Sequence, residues 1–193
     1  DLVGLSFLST TSYPYAKILA RQIRGADSNV KIAFGGVFAS LHAQLVKLEV
    51  PDVGFVCRGD GEQLILDLLE TLEDPSGVAG VTWQEPGGTL RHNPNRVLER
   101  NLDQWPFPDR DGVPLDFVES MPLDVPAVLS LERFTTMQTS RGCPWPCVFC
   151  DIPVFKEGKW RARSAESVIA EMKQLQNEGY GAVYFVDDHF LLQ

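Results

Sequence analysis

Short apolar runs alternate with amphipathic stretches along the first third of the chain. The runs are typical of buried strands, and each is followed by apolar residues at helical spacing. Strands that alternate with helices of about ten residues predict a parallel sheet with crossover helices. The predicted strands cover residues 2–8, 30–34 and 53–57, and the predicted helices cover residues 15–24, 37–48 and 62–72.

The pattern changes in residues 76–133, where Pro and Gly are dense and the helical periodicity disappears. A small hairpin is predicted over residues 80–83 and 88–91, and the stretch as a whole is interpreted as a linker. Its segment Trp105-Pro-Phe-Pro-Asp-Arg110 is expected to pack between domains rather than touch a substrate.

A second α/β unit is predicted from residue 134 onward. A strand over residues 134–139 precedes a helix with Ser164 as its N-cap and Gly179 at its end, and a further strand covers 182–186. The predicted domains are therefore residues 1–75, the linker 76–133 and residues 134–193. The chain starts inside a strand pattern without a methionine, so we expect it to be part of a longer protein.

Composition narrows the class of protein. Of 193 residues, 44% are hydrophobic, which is enough for packed cores, and the net charge is −9. Dispersed acids and the lack of a Lys/Arg cluster argue against a nucleic-acid surface. No apolar run approaches the ~20 residues that span a bilayer, and no signal peptide is recognisable. We therefore expect a cytoplasmic protein that binds neither nucleic acid nor membrane.

Three cysteines lie within eight residues, at Cys143, Cys147 and Cys150. A structural zinc site needs four ligands, and no histidine lies nearby to complete one. A disulfide would leave one thiol over, so ligation of an iron–sulfur cluster is favoured, with zinc as the alternative. Cys57 lies in an apolar run and is expected to be a buried strand residue.

Small and polar residues follow several predicted strands. Ser6 and Leu8 end the first strand, and Gly35-Gly36 ends the second. Ligands bind at the carboxyl ends of strands in open parallel sheets, and glycine allows the backbone to approach a ligand closely. The alternative is that the glycines only form a tight turn. Asp187-Asp188-His189 follows the last predicted strand. In (β/α) barrels, catalytic residues lie at this carboxyl end of the strands.

The segment Cys143-Pro-Trp-Pro-Cys147-Val-Phe149-Cys150 resembles the C-x3-C-x-aromatic-C signature of the radical S-adenosylmethionine (radical SAM) superfamily. The resemblance implies a four-iron four-sulfur cluster held by the three cysteines, with one iron open to S-adenosylmethionine. It also implies that Phe149 packs near the adenine, and that Asp187 and Asp188 can accept from the amino group of that cofactor.

A second resemblance is to cobalamin-binding domains, which carry Ser-x-Leu about 26 residues before Gly-Gly. Here residues 9–34 separate Leu8 from Gly35. This resemblance implies that Ser6, Leu8, Gly35 and Gly36 contact cobalamin. The Trp105–Arg110 segment is similar to the linker of cobalamin-type radical SAM proteins.

Together the resemblances imply an α/β fold, with a partial Rossmann-like cobalamin-binding domain followed by the start of a radical SAM (β/α) barrel. The implied activity is reductive cleavage of S-adenosylmethionine to a 5′-deoxyadenosyl radical, followed by cobalamin-dependent methyl transfer. The substrate would be a small molecule or a peptide, and the electron donor a flavodoxin or ferredoxin. We expect these 193 residues to be inactive by themselves. The alternatives are radical ring formation or rearrangement without methyl transfer, and a non-catalytic iron–sulfur or zinc module.

Overall fold

The computed structural model describes residues 1–111 and 133–192. The chain forms two compact units, one of Asp1–Leu98 with Cys147–Glu157 and one of Glu99–Pro146 with Gly158–Gln193. The domain limits predicted from sequence stay predictions, because residues 112–132 of the predicted linker lie outside the described part.

The first unit is built on a five-stranded sheet with the strand order β1-β2-β3-β4-β5. The first three strands are parallel, and β4 and β5 extend the sheet as an antiparallel hairpin. The predicted hairpin therefore exists, but it belongs to the first sheet. The strands are β1 (Leu2–Ser6), β2 (Lys31–Gly35), β3 (Phe55–Cys57), β4 (Val81–Gln84) and β5 (Leu90–His92).

Helices cover both faces of this sheet. The stretch expected as one helix over residues 37–48 is two helices, because His42 leaves helical geometry at φ −119° and ψ 32°. A short 3₁₀ turn, Pro75–Gly77, precedes the hairpin. The helices of the unit are α1 (Tyr13–Ala26), α2 (Val37–Leu41), α3 (Ala43–Glu49), α4 (Glu62–Glu70) and α5 (Ile152–Phe155).

Strand β2 shows why the strands of the first sheet are nearly continuous runs of apolar residues in the sequence. Successive side chains of a strand point to opposite faces of the sheet. Ile32 and Phe34 pack into one core with α1, α2 and α3, whereas Ala33 joins a second core with Leu64 and Leu68 of α4. Both faces are buried over Ile32–Phe34, so these central positions of the strand favour apolar residues.

The second unit contains a parallel strand pair, a second short pair and one long helix. Ser164 caps the helix by accepting a hydrogen bond of 3.1 Å from the amide of Ser167, as its position in the sequence predicts. Gly179 follows the helix with φ 87°. The elements are β6 (Phe134–Met137) with β9 (Ala182–Phe185), β7 (Ser140–Arg141) with β8 (Arg161–Ala162), α6 (Ala165–Asn177) and a 3₁₀ turn Leu102–Gln104.

Both units have the mixed α/β architecture that the sequence predicts, with parallel strands and crossover helices. None of the helices in residues 1–111 and 133–192 is long and apolar enough to cross a membrane.

Candidate functional site

The structure brings the polar ends of β1 and β2 together. Ser6 pairs with Gly35 in the parallel register, and the amide of Phe7 donates a 3.1 Å hydrogen bond to the carbonyl of Gly35. Ser6 and Leu8 are exposed on either side of the buried Phe7. Four residues that the sequence assigns to one ligand, Ser6, Leu8, Gly35 and Gly36, thus lie at the same edge of the sheet.

The two glycines at this edge have different surroundings. Gly36 has φ 90°, and a Cβ built there would lie 2.3 Å from the carbonyl oxygen of Phe7. A Cβ on Gly35 would only make ordinary contacts of 3.9 Å with Cys57. The absence of a side chain at Gly36 is therefore required by the protein's own backbone, whereas at Gly35 it leaves space.

Ser40 links this edge to the turn that follows β3, which sequence reasoning missed. Its hydroxyl donates to the carbonyl of Gly36 at 2.8 Å and accepts from the amide of Gly59 at 3.1 Å. A serine four residues after the start of a helix can bond back in this way. The hydroxyl therefore holds the Arg58-Gly59-Asp60-Gly61 turn beside Gly36.

A buried ion pair holds the same turn to α5. Lys156 is 7% exposed and donates to the carboxylate of Asp60, whose side chain is 13% exposed. Nothing in the sequence near Asp60 or Lys156 indicates that these two residues are partners. Removal of one partner of such a buried pair costs about 3–5 kcal/mol, so this contact anchors the segment after Cys150 on the first sheet.

In the second unit, the end of β9 holds the start of the cysteine loop. Asp187 accepts hydrogen bonds from the amide of Thr139 at 3.1 Å, from its hydroxyl at 2.8 Å and from the hydroxyl of Ser140 at 2.5 Å. Asp188 accepts from the amide of Gly142 at 2.7 Å. We call these bonds the aspartate latch. Its side chains lie where the parallel strands β6 and β9 both end.

The latch ends one residue before Cys143. Gly142 has φ 89°, a left-handed conformation that glycine adopts without strain. Ser140 is 1% exposed, and its hydroxyl also contacts the carbonyl of His189 at 3.2 Å. The carbonyl of His189 accepts a further hydrogen bond of 2.9 Å from the indole of Trp160. The backbone entering the cysteine loop is therefore held from several sides.

All four cysteines are free thiols. Cys143 and Cys150 are partly exposed and Cys147 is exposed, and the amide of Cys150 donates to the carbonyl of Cys147 at 3.1 Å. Cys57 lies at the end of β3, as predicted, but it is partly exposed rather than fully buried; desolvation by its surroundings still raises the pKa of its thiol to about 12. Three accessible thiols on one loop fit iron–sulfur ligation. Within the described ranges, no three His, Cys, Asp or Glu side chains are grouped closely enough to hold a metal ion.

Phe149 is 88% exposed and the neighbouring Val148 is fully exposed. Two apolar side chains thus face solvent on the cysteine loop. Among residues 1–111 and 133–192, no aromatic ring or cation lies against the Phe149 ring, and its predicted contact with S-adenosylmethionine stays a prediction.

A buried carboxylate in the second unit was not foreseen. Glu171 of α6 is 1% exposed, and its two oxygens bind Arg110 at 2.7 Å and Arg163. Arg110 ends the Trp-Pro-Phe-Pro-Asp-Arg segment and also donates to the carbonyl of Thr136 at 2.8 Å. Arg163 lies over the ring of Phe107, with 5.2 Å from the guanidinium carbon to the ring centroid. The segment is thereby fixed to β6 and α6.

The described part of the chain thus contains a sheet with three parallel strands, a βαβ unit, and three cysteines within eight residues. The B12 binding domain family matches residues 1–69, and the Radical SAM superfamily matches residues 137–193. The chain therefore combines a segment similar to B12-binding domains with a segment similar to the radical SAM superfamily. The predicted family is confirmed.

Curated relatives agree with this assignment. An uncharacterized methyltransferase of Pyrococcus horikoshii is 34% identical over the whole chain, which covers 40% of that relative. An anaerobic magnesium-protoporphyrin IX monomethyl ester cyclase of Synechocystis is 26% identical over 85% of the chain and 31% of the relative. The chain thus spans well under half the length of these relatives.

Solved structures share the fold. The radical S-adenosylmethionine methyltransferase TsrM from Kitasatospora setae matches 98% of the chain and 37% of its own length, with a TM-score of 0.75 and 19% identity. A second TsrM structure, with cobalamin and a [4Fe-4S] cluster bound, has a TM-score of 0.72. The predicted fold class is confirmed. The cofactor set of cobalamin, S-adenosylmethionine and a [4Fe-4S] cluster is confirmed as that of the matched families and their solved members.

Proposed function

We propose that the full-length protein is a cobalamin-dependent radical SAM methyltransferase that acts on a small molecule or a peptide. The observation that carries the proposal is the presence, in one chain, of both cofactor families together with 34% identity to a relative named as a methyltransferase. The reaction begins with reductive cleavage of S-adenosylmethionine and ends with a methylated product.

The thiolates of Cys143, Cys147 and Cys150 are the proposed ligands of the four-iron four-sulfur cluster. When bound, the cluster supplies an electron to S-adenosylmethionine, and cobalamin carries the methyl group. Three ligands leave one iron open, which suits a cluster that must bind a second cofactor. The exposed ring of Phe149 offers a flat apolar surface for the adenine.

The two aspartates of the latch are proposed to have different tasks. Asp187 is engaged by three donors from Thr139 and Ser140, so it serves mainly to position the loop that carries the ligands. Asp188 is exposed, and only one of its oxygens takes part in the latch. Its other oxygen is the better candidate to accept a hydrogen bond from the amino group of S-adenosylmethionine.

Cobalamin is proposed to bind at the carboxyl edge of β1 and β2, against Ser6, Leu8 and Gly35. The exposed hydroxyl of Ser6 can hydrogen-bond to the ligand, and the exposed Leu8 can cover apolar surface. Gly36 contributes by allowing the backbone of Phe7 to approach. A flavodoxin or a ferredoxin is the proposed electron donor.

The test uses the full-length protein, reconstituted anaerobically with iron, sulfide and cobalamin and supplied with reductant. S-adenosylmethionine with a deuterated methyl group is added, with and without a small-molecule extract of the producing cells. We expect 5′-deoxyadenosine, S-adenosylhomocysteine and a deuterated product. The Cys143→Ala, Cys147→Ala and Cys150→Ala variants should form none of these.

The same assay separates the alternatives. Formation of 5′-deoxyadenosine without S-adenosylhomocysteine would favour a ring-forming reaction, which the 26% identical cyclase makes the second candidate. Failure to cleave S-adenosylmethionine by a protein with full iron content would favour a non-catalytic module.

A further inference from the structure

We propose that a pocket beside the end of β3 in the first unit binds the carboxylate or phosphate group of a small ligand. This inference goes beyond the proposed methyl transfer, since it adds a site separate from those of cobalamin and S-adenosylmethionine.

The pocket has a volume of about 220 Å³ and lies entirely within the first unit. This is room for a small organic anion rather than for a corrin ring. Two guanidinium groups, of Arg58 and Arg96, line it from different elements. The other lining residues are Ser40, Leu41, Gly59, Asn95, Leu98, Val154, Phe155 and Glu157.

Arg58 supplies an uncompensated charge. Its Nη2 donates to the carbonyl of Asn93, and its Nε is buried without a hydrogen-bond partner. No carboxylate in residues 1–111 or 133–192 forms an ion pair with it, and burial lowers the pKa of its guanidinium. Burying part of a cation without a counter-charge costs desolvation free energy. An anion that pairs with this cation therefore gains more binding free energy than it would at the protein surface.

Arg96 adds donors but little net charge. Its Nη2 is paired with Asp67, whereas its Nε is also buried and without a partner. Glu157 lines the same pocket, but it is exposed, where water screens its charge. Arg58 is therefore the cation of the pocket that has no ion-pair partner among the described residues, and it corresponds to one anionic group.

The chemistry of the donors selects an oxyanion. The Ser40 hydroxyl and the Gly59 amide already bond to one another, so the donors that remain are those of the two guanidinium groups and the side-chain amide of Asn95. A guanidinium presents its N–H groups as a planar fork, which matches the two oxygens of a carboxylate or phosphate. Leu41, Val154 and Phe155 can contact the apolar part of the ligand.

The experiment titrates the full-length protein with inorganic phosphate and, separately, with succinate, at constant ionic strength with chloride as the reference. Isothermal titration calorimetry measures the affinity in wild type and in Arg58→Gln, Arg58→Lys and Arg21→Gln. Arg21 is an exposed arginine of α1 and serves as the control.

We expect saturable binding of at least one probe, weakened about tenfold or more in Arg58→Gln because a charge-assisted pair is lost. Arg58→Lys keeps the positive charge but lacks the planar pair of donors, so its affinity for the anion should lie between those of wild type and Arg58→Gln. If Arg58→Gln does not fold, the affinity of Arg58→Lys is the measurement that tests the proposal. Arg21→Gln should bind like wild type. The stronger probe identifies the ligand as a phosphate or a carboxylate.

Cobalamin-loaded protein provides the decisive comparison. Equal anion binding with and without cobalamin supports a separate site. Anion binding that disappears on cobalamin loading would assign the pocket to the cobalamin site and overturn the proposal. Absence of saturable binding of both probes, or equal binding by Arg58→Gln, would also overturn it.

Discussion

The carbonyl oxygen of Phe7 lies 2.3 Å from the position that a Cβ on Gly36 would occupy. Gly36 also has φ 90°, a conformation that L-amino acids rarely adopt. One glycine of the Gly-Gly pair is thus required for the sheet edge itself, and the other, Gly35, is available to a ligand. The two glycines are adjacent in the sequence, but Gly36 allows a close backbone contact whereas Gly35 leaves space for a ligand.

Substitution of these glycines should separate stability from cobalamin binding. Gly36→Ala should lower the melting temperature of the full-length protein, because a left-handed alanine costs about 1–3 kcal/mol before the clash with Phe7 is counted. Gly35→Val should leave the melting temperature close to wild type but reduce the cobalamin retained after gel filtration. Gly4→Ala, with nothing within 4 Å, is the control. Full cobalamin retention by Gly35→Val would place the ligand elsewhere.

Asp187→Asn should weaken the aspartate latch. The Thr139 hydroxyl and the Ser140 hydroxyl both bond to Oδ1 of Asp187, so the asparagine carbonyl can replace that oxygen only as a neutral acceptor, and the loss of the charge costs roughly 2 kcal/mol. We expect a lower iron content after reconstitution and a broadened electron paramagnetic resonance signal of the reduced cluster.

Asp188→Asn is the comparison for that experiment. It should keep the iron content and raise the KM for S-adenosylmethionine. If both variants retain iron and cleave S-adenosylmethionine like wild type, neither aspartate has the proposed task.

Phe149→Ala should weaken binding of S-adenosylmethionine by about a factor of ten. Aromatic contacts contribute roughly 0.5–1.5 kcal/mol beyond area burial, and 1.4 kcal/mol corresponds to tenfold. Equilibrium binding to the cluster-bearing protein measures the effect. Val148→Ala, at a fully exposed neighbouring position, should bind like wild type. Equal affinities in all three proteins would exclude a role for the Phe149 ring.

Cys57 should resist alkylation in the metal-free protein. Because burial raises its pKa to about 12, its thiolate fraction at pH 8 is on the order of 1 in 10,000. Iodoacetamide with mass spectrometry should label Cys143, Cys147 and Cys150 first. Labelling of Cys57 should increase about tenfold per pH unit as the pH rises toward 12, since only the thiolate reacts. Rapid labelling of Cys57 at pH 8 would contradict the raised pKa of its thiol.

Glu171→Gln should destabilise the second unit by about 3–5 kcal/mol, because Arg110 and Arg163 would be left without their shared carboxylate. Limited proteolysis should cut the variant faster than wild type. Glu166→Gln changes an exposed glutamate in the first turn of the same helix and should not alter the digestion rate.

Local patterns in the sequence were sufficient for several features. Apolar runs with intervening amphipathic stretches predicted β1–β3 and their helices, since strand and helix periodicities differ. The Ser164 cap and the end of its helix at Gly179 also follow from neighbouring residues alone. The spacing of Cys143, Cys147 and Cys150, which indicated the cofactor family, is a property of one short segment.

Tertiary structure decided the contacts between distant residues. Glu171 meets Arg110 across 61 positions, and Lys156 meets Asp60 across 96, so no local pattern pairs them. The hairpin of β4 and β5 joins the first sheet through antiparallel pairing of β4 with β3, a contact that the composition of residues 76–98 does not reveal. Charge, spacing and periodicity are local properties that the sequence shows directly. Which distant residues contact each other depends on the surfaces that folding brings together.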